Sequence, residues 1–406
     1  MAFRLWLVRA HGPVLCAVLT AVSLAVILSS VGWEVQWFWA ASRAMTPTIV
    51  VAPVLAGVTA FLVQRHLSPS ARILTAAAPR GAAGVLALTA APWSAALVAI
   101  TVGFAYVAVR TTPVVGGFDV PAWLVVHGIA ALTAAALFGL VVGVWVPSLA
   151  AGPLAAIVAY VLPILAIPLG VEGLMAAGGA SGPAFGMEPD PGVHATMVLL
   201  NLALGLLCAV VAVARLRPVR RRWWYAAGAL AVVVLVGAGS LAAMDPRLTK
   251  LRPTGAAPVC VGDGTRVCGP ADARPILEIA QRDIATAREV LSDRGLEVTD
   301  RYAYFPPPDV MGTEVGLLSA EPSAVRDGHL GRWDLAVTVA TPAACSDYFA
   351  DSPPEELLDA QARLASWVSD ALGSRAAPAD ADVLATYEAL RACDATALPA
   401  WAFEAW

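Results

Sequence analysis

Long apolar runs broken by short polar stretches fill the first 244 residues of the chain, and the pattern then changes. A helix needs about 20 mostly apolar residues to cross the hydrocarbon core of a bilayer. Seven stretches have that character, at about 13–32, 47–64, 82–109, 121–146, 149–171, 194–214 and 225–244. The second, PTIVVAPVLAGVTAFLVQ, is the shortest. The first follows Arg4 and Arg9 and runs into WEVQWFW, with no small-residue cleavage site. It therefore predicts a retained span and not a signal peptide. Trp33, Trp37 and Trp39 predict an interfacial aromatic belt.

Arginine placement sets the expected orientation, because cytoplasmic loops carry an excess of Lys and Arg. With the N-terminus inside, the inner segments hold Arg4 and Arg9, then Arg65, Arg72 and Arg80, then Arg215, Arg217, Arg220, Arg221 and Arg222. The outer loops hold only Arg43 and Arg110. The loop at Pro147 and Ser148 is uncharged and casts no vote. Seven crossings from an inside start place residues 245–406 outside the cytoplasm.

Beyond residue 245 the periodicity is that of a water-soluble fold. Residues 274–294 read as an amphipathic helix, with Ile276, Ala280, Ile284, Ala287 and Leu291 on its core face and Gly295 as its stop. EVTDRYAYF (297–305), EVGLLSA (314–320) and WDLAVTVAT (333–341) read as strands, and 354–373 and 380–394 as helices. The aromatic tail LPAWAFEAW (398–406) folds back on this domain or rests on the membrane surface. The expected fold class is a polytopic α-helical membrane protein of about seven transmembrane helices plus a C-terminal extracytoplasmic α+β domain. Its expected divisions are 1–222, a six-helix membrane domain, 223–244, a seventh span, and 245–406, the outer domain.

Composition sharpens this division. Of 406 residues, 59% are hydrophobic and 14% charged, against roughly 25% charged in soluble domains. Residues 1–244 hold 12 basic and 5 acidic residues, whereas 245–406 hold 14 basic and 25 acidic. The acidity of the second region excludes nucleic acid as its partner. One lysine, Lys250, beside 25 arginines in an alanine-rich chain points to a GC-rich, actinobacterial genome.

Four of six cysteines, Cys260, Cys268, Cys345 and Cys393, lie in the outer region, where disulfides form and persist. Three pairings are open to them. Asp263-Gly264-Thr265 suits a three-residue hairpin loop that sets Cys260 opposite Cys268, which favours Cys260–Cys268 and leaves Cys345–Cys393. The competing reading, a redox or metal site, lacks a nearby histidine and the close ligand spacing zinc sites use. Cys16 and Cys208 lie within spans and read as small apolar residues.

Catalytic signals are weak throughout. His11, His66, His127, His194 and His329 form no HExxH pair. Asp327 and Asp334 flank His329, but nothing in their spacing demands acid–base work. Gly179-Ala180-Ser181-Gly182 matches the short GxSG pattern of intramembrane serine proteases, yet Ser181 falls in a loop and the one later span, 225–244, has no histidine. No GxxxxGK[ST] loop exists, so this chain is not a P-loop ATPase. The spans carry no Asp, Glu, Lys or Arg well inside, which counts against proton-coupled carriage. Asn201, Thr89, Thr101 and Ser94 read as helix-packing contacts. No enzyme activity, cofactor or metal site is expected.

The layout of residues 1–222 resembles the permease subunits of ABC-2-type transporters. QRHLSPSARILTAAAPRGAAG (64–84) occupies the place of their basic cytoplasmic segment, and EGLMAAGGASGPAFGMEPDPG (172–192) that of their long outer excursion. The seventh span and outer domain depart from that plan. The C-x-G-x3-R-V-C start of the outer domain looks like the tail of uncharacterised actinobacterial permease-like proteins. The resemblance implies a membrane-embedded export subunit that relies on a separate ABC ATPase docking near Arg65, Arg72 and Arg80, and pairs with a second permease as a homo- or heterodimer. Lipid contact is the competing role for those arginines. The alternative is a non-transporting membrane anchor whose outer domain senses a ligand or binds a partner.

Overall fold

A computed structural model describes residues 12–67, 81–169, 171, 173–180, 182–216, 222–242, 251–304, 315–343, 354–373 and 378–403. Two compact units emerge, Met1–Pro183 with Met187–Arg252, and Ala184–Gly186 with Pro253–Trp406.

The first unit is helical: α1 (Gly12–Leu28), α2 (Trp37–Met45), α3 (Thr48–His66), α4 (Gly81–Val115), α5 (Ala122–Trp145), α6 (Ala151–Ala166), α7 (Pro191–Leu216) and α8 (Arg222–Ala242). Each of the seven apolar stretches is helical. Among the described residues five helices, with α2 and α3 counted as one run, are long and apolar enough to cross a membrane. The other two, α1 and α6, have 17 and 16 residues, and at 1.5 Å per residue they fall short of a core about 30 Å thick. The shortest stretch in the sequence became part of one of the longer runs, because α2 and α3 follow almost without a break over Trp37–His66.

Small residues hold this bundle together. In α5, Gly139 lies so close to α3 that a β-carbon would overlap the carbonyl oxygen of Ala56, and one on Gly143 would sit 2.6 Å from that of Ala60. Gly57 of α3 and Gly152 of α6 approach each other in the same way. Ala56, Ala60, Ala134, Ala151, Ala155 and Ala159 are buried together between these helices. Without a hydrophobic drive in lipid, close backbone approach of this kind is the main source of helix association. Outside this packed centre α8 lies against α7 with its other faces exposed.

The tryptophans correct the expected belt. Trp33, Trp37 and Trp39 are buried; Trp33 Nε1 donates to Ser30 O at 3.1 Å and Trp37 Nε1 to Gly117 O at 2.7 Å. Trp33 also stacks near Tyr106, and Trp37 meets Phe118 edge-on. The indole N–H groups of Trp33 and Trp37 thus find partners inside the protein, and all three rings are buried in it instead of being exposed. The two arginines of the expected outer loops are also engaged. Arg43 caps the last turn of α1 through Val26 O, Ile27 O and Ser29 Oγ, and Arg110 pairs with Glu34 at 3.2 Å.

The second unit contains a sheet of order β3-β4-β5-β6, namely Val259–Val261, Arg266–Gly269, Arg301–Ala303 and Gly316–Leu317; β1 (Met187–Pro189) and β2 (Leu251–Pro253) form a separate two-stranded pair. The first pair of the larger sheet is antiparallel and the next two are parallel. Helix α9 (Arg274–Ser292) makes the crossover from β4 to β5, and Ile276, Ala280, Ile284, Ala287 and Leu291 are on its buried face. Four more helices follow: α10 (Ser323–Asp327), α11 (Arg332–Val339), α12 (Glu355–Leu372) and α13 (Ala381–Arg391).

WDLAVTVAT, read as a strand, is helix α11. Its apparent alternation concealed a helical stripe of Ala336, Val339 and Ala340, all fully buried and continued by Ala343. Thr338 Oγ1 adds a hydrogen bond to Ser319 O and accepts one from Ser319 N. The tail packs back on its own unit through 398–403: Ala402 is buried and Arg363 lies 5.3 Å from the Trp401 ring centroid.

Candidate functional site

An enclosed site lies in the helical unit, where the starts of three helices and the end of a fourth meet a loop. Ile49 comes from the first turn of α3, Leu124 and His127 from the start of α5, and His194 and Met197 from the start of α7. Ala159, Tyr160, Pro163 and Ile164 come from the end of α6. Gly173 and Met175–Gly179 complete the wall. The cavity they enclose is about 330 Å³, at the lower end of the range for small-molecule sites.

The loop has no regular structure, yet side chains satisfy its backbone nearly residue by residue. Asn201 of α7, fully buried, accepts from Met175 N at 2.8 Å and donates to Gly173 O at 2.9 Å. His127 Nε2 lies 2.8 Å from the same Gly173 oxygen; since a carbonyl only accepts, that nitrogen carries the proton. Thr48 Oγ1 donates to Ala177 O and accepts from Ala177 N. Gly179 N donates to Thr46 Oγ1 and Ala180 N to Ser42 Oγ. Gly178 is obligatory, with φ of 81° and backbone atoms of α2 where a β-carbon would go. Irregular backbone among apolar helices needs its polar groups satisfied by protein, and these side chains satisfy this loop.

Two buried histidines give the apolar wall its polar character. The His127 and His194 rings have centroids 6.3 Å apart, and both side chains are nearly inaccessible. Ionisable side chains inside a membrane unit are rare and mark sites of function. A search for catalytic motifs passes over both histidines, because their signal is burial in an apolar bundle and not a spacing. Their positions two turns or less into α5 and α7, at the starts of two apolar stretches, were the available signal.

The other site expectations have separate fates. Cys260 and Cys268 face each other across the β3–β4 hairpin and are bridged. Cys393 is also disulfide-bonded, whereas Cys345 lies outside the described residues. Cys16 and Cys208 are free thiols, Cys208 buried. Arg65 sits in the last turn of α3, where a cation complements the helix dipole; Arg72, Arg80 and Ser181 lie outside the described residues.

Around His329 no acid–base group assembles among the described residues. His329 Nδ1 meets Leu330 O, Asp327 pairs with Arg326 at 3.1 Å, and Asp334 accepts a backbone hydrogen bond from Glu321. Burial, then the neighbouring charge of Glu321, raises the Asp334 carboxyl above its ordinary value. A second recess, about 360 Å³ and more open, is lined by Arg288, Arg301 and Arg391 together with Glu297 and Asp300. No three His, Cys, Asp or Glu side chains converge among the described residues. The chain matches no family model, no curated protein and no solved structure.

Proposed function

We propose that the chain is a membrane permease-like subunit of an ATP-driven exporter of the ABC-2 type, and that the 330 Å³ cavity holds its cargo. The observation that carries this reading is the cavity itself: a loop pinned by Asn201, Thr48 and His127 keeps open a space at one end of an otherwise close-packed bundle. Under the arginine bias of the loops that end is the outer one, reached by a seven-span path in which α1 and α6 cross with help from flanking turns. A separate ATPase would then dock on the opposite face, around Arg65, Arg72 and Arg80, and two permeases would share the pathway.

The test is co-purification from native membranes. Replacing Arg72 and Arg80 by Glu releases an ATPase that accompanies the parent protein, and Ala159→Trp, which fills the cavity, abolishes cargo-stimulated ATP hydrolysis without releasing it. A homogeneous protein with no ATPase partner contradicts the reading.

A second reading, a membrane-anchored sensor, draws on two features. Residues 184–186, just beyond the cavity loop, belong to the C-terminal unit: Gly186 N donates to Asp272 Oδ1 at 2.9 Å, and Phe185 lies against Tyr304. That otherwise acidic unit also gathers three arginines at one recess. Retained signalling to a partner in cells lacking any associated ATPase would favour it.

A further inference from the structure

We infer that the occupant of the cavity is a lipid-soluble molecule with an apolar body and one hydrogen-bond-donating head, such as a long-chain alcohol, and that it enters sideways from the bilayer. The inference deepens the cargo-site reading above and rests on it.

Four wall residues are also on the outer surface of the bundle. Ile49, Tyr160, Ile164 and Ile167 are 41%, 50%, 48% and 51% exposed while lining the cavity. Tyr160, Ile164 and Ile167 follow one another at helical spacing along the end of α6, so one side of the cavity is bordered by an exposed apolar helix face, the kind of face that meets hydrocarbon in a membrane. A water-soluble ion has no favourable route past such a face, because its charge would leave water uncompensated. An apolar chain loses nothing in moving from lipid into a wall of Ile, Leu, Met and Ala.

The head is specified by what the wall offers. Pro163 has no N–H to give the carbonyl of Ala159 one turn back. Both residues line the cavity, so a backbone acceptor there lacks its usual helical donor. Among the described residues no arginine or lysine lines the cavity, which disfavours a permanently anionic head. A neutral donor meets the Ala159 carbonyl and lies beside the two imidazoles. Helix α6 continues through Pro163 to Ala166; a proline inside an apolar helix is tolerated where some other group satisfies the freed carbonyl, and a bound hydroxyl does so.

The test uses the full-length protein in lipid nanodiscs and a long-chain alcohol carrying a photoreactive diazirine, with adducts mapped by mass spectrometry. Labelling is expected to concentrate on 159–167 and 173–179 over the exposed face of α8 at Leu235 and Val236. An unlabelled alcohol competes, and its methyl ether, lacking the donor, competes about fivefold less well, as expected for one hydrogen bond. Ala159→Trp lowers cavity labelling to the level of α8; should that variant fail to fold, the alcohol–ether comparison on the parent protein decides. Even labelling of all exposed apolar faces, or equal competition by the ether, overturns the inference. An ATPase partner found beside even labelling leaves the exporter reading standing and removes this ligand class. Focused labelling without any ATPase does the reverse.

Discussion

The side-chain oxygen of Asn201 accepts the backbone N–H of Met175 at 2.8 Å, and Met175 is held there with φ of 54°. A non-glycine residue in the left-handed region costs of order 1 kcal/mol or more and persists where its surroundings over-determine it. Asn201 is that constraint, since its amide also donates to Gly173 O and Met197 O. Asn201→Ala removes the partner of the Met175 N–H in an apolar setting and leaves the Gly173 carbonyl with His127 alone. We expect a loss of about 1–3 kcal/mol, read as a lower melting temperature in detergent. An unchanged melting curve would show that the loop does not depend on this residue.

Close helix contact makes a second prediction. Adding a methyl group at Gly139 or Gly143 drives it into the backbone of α3, whereas Gly228 on α8 has nothing within 4 Å of its missing β-carbon. Gly139→Ala and Gly143→Ala should each cost about 1–3 kcal/mol through overpacking, with a lower yield of monodisperse protein. Gly228→Ala should behave as the parent. Equal behaviour of all three would contradict the packing described.

Tyr302 is buried in β5 and its hydroxyl has no hydrogen-bond partner among the described residues. Burial pushes its ionisation well above the ordinary tyrosine value, so the phenol stays neutral and its desolvation goes uncompensated. Tyr302→Phe is expected to stabilise the protein by up to about 1 kcal/mol in chemical denaturation. A clear destabilisation would reveal a partner for the hydroxyl.

Asp334 yields a pH dependence of definite sign. Its folded value is raised from 3.8 by burial and by Glu321, so the folded state holds the proton more tightly than the unfolded chain does. The carboxyl therefore costs nothing below the unfolded value, and the cost grows as pH rises through the raised folded value. Asp334→Asn should melt higher than the parent at neutral pH, with the gap closing toward pH 3. A gap that is constant or reversed would refute this.

These residues also show what could be read from the chain alone. Helix α9 was legible because Ile276, Ile284 and Leu291 mark its buried face with large side chains at helical spacing. Helix α11 was not, because its stripe is carried by Ala336, Val339 and Ala340, and alanine gives little hydropathy contrast in a chain so rich in it. The Cys260–Cys268 bridge was legible because a tight turn sets both ends locally. The cavity was not, since its wall is assembled from five separated stretches and its key contacts are backbone atoms of a loop. Tryptophan placement misled for a related reason: an aromatic cluster beside a span signals an interface by composition, while Gly117 O and Ser30 O decide where the indoles go.

Everything functional here depends on the cavity end of the bundle and the C-terminal unit lying outside the cytoplasm. The direct test is labelling of intact cells with a membrane-impermeant maleimide, before and after mild reduction, followed by mass spectrometry of the peptides holding Cys260 and Cys268. We predict no label before reduction and full label after it, without permeabilisation. Label that appears only once the membrane is opened would place the C-terminal unit inside and contradict the account.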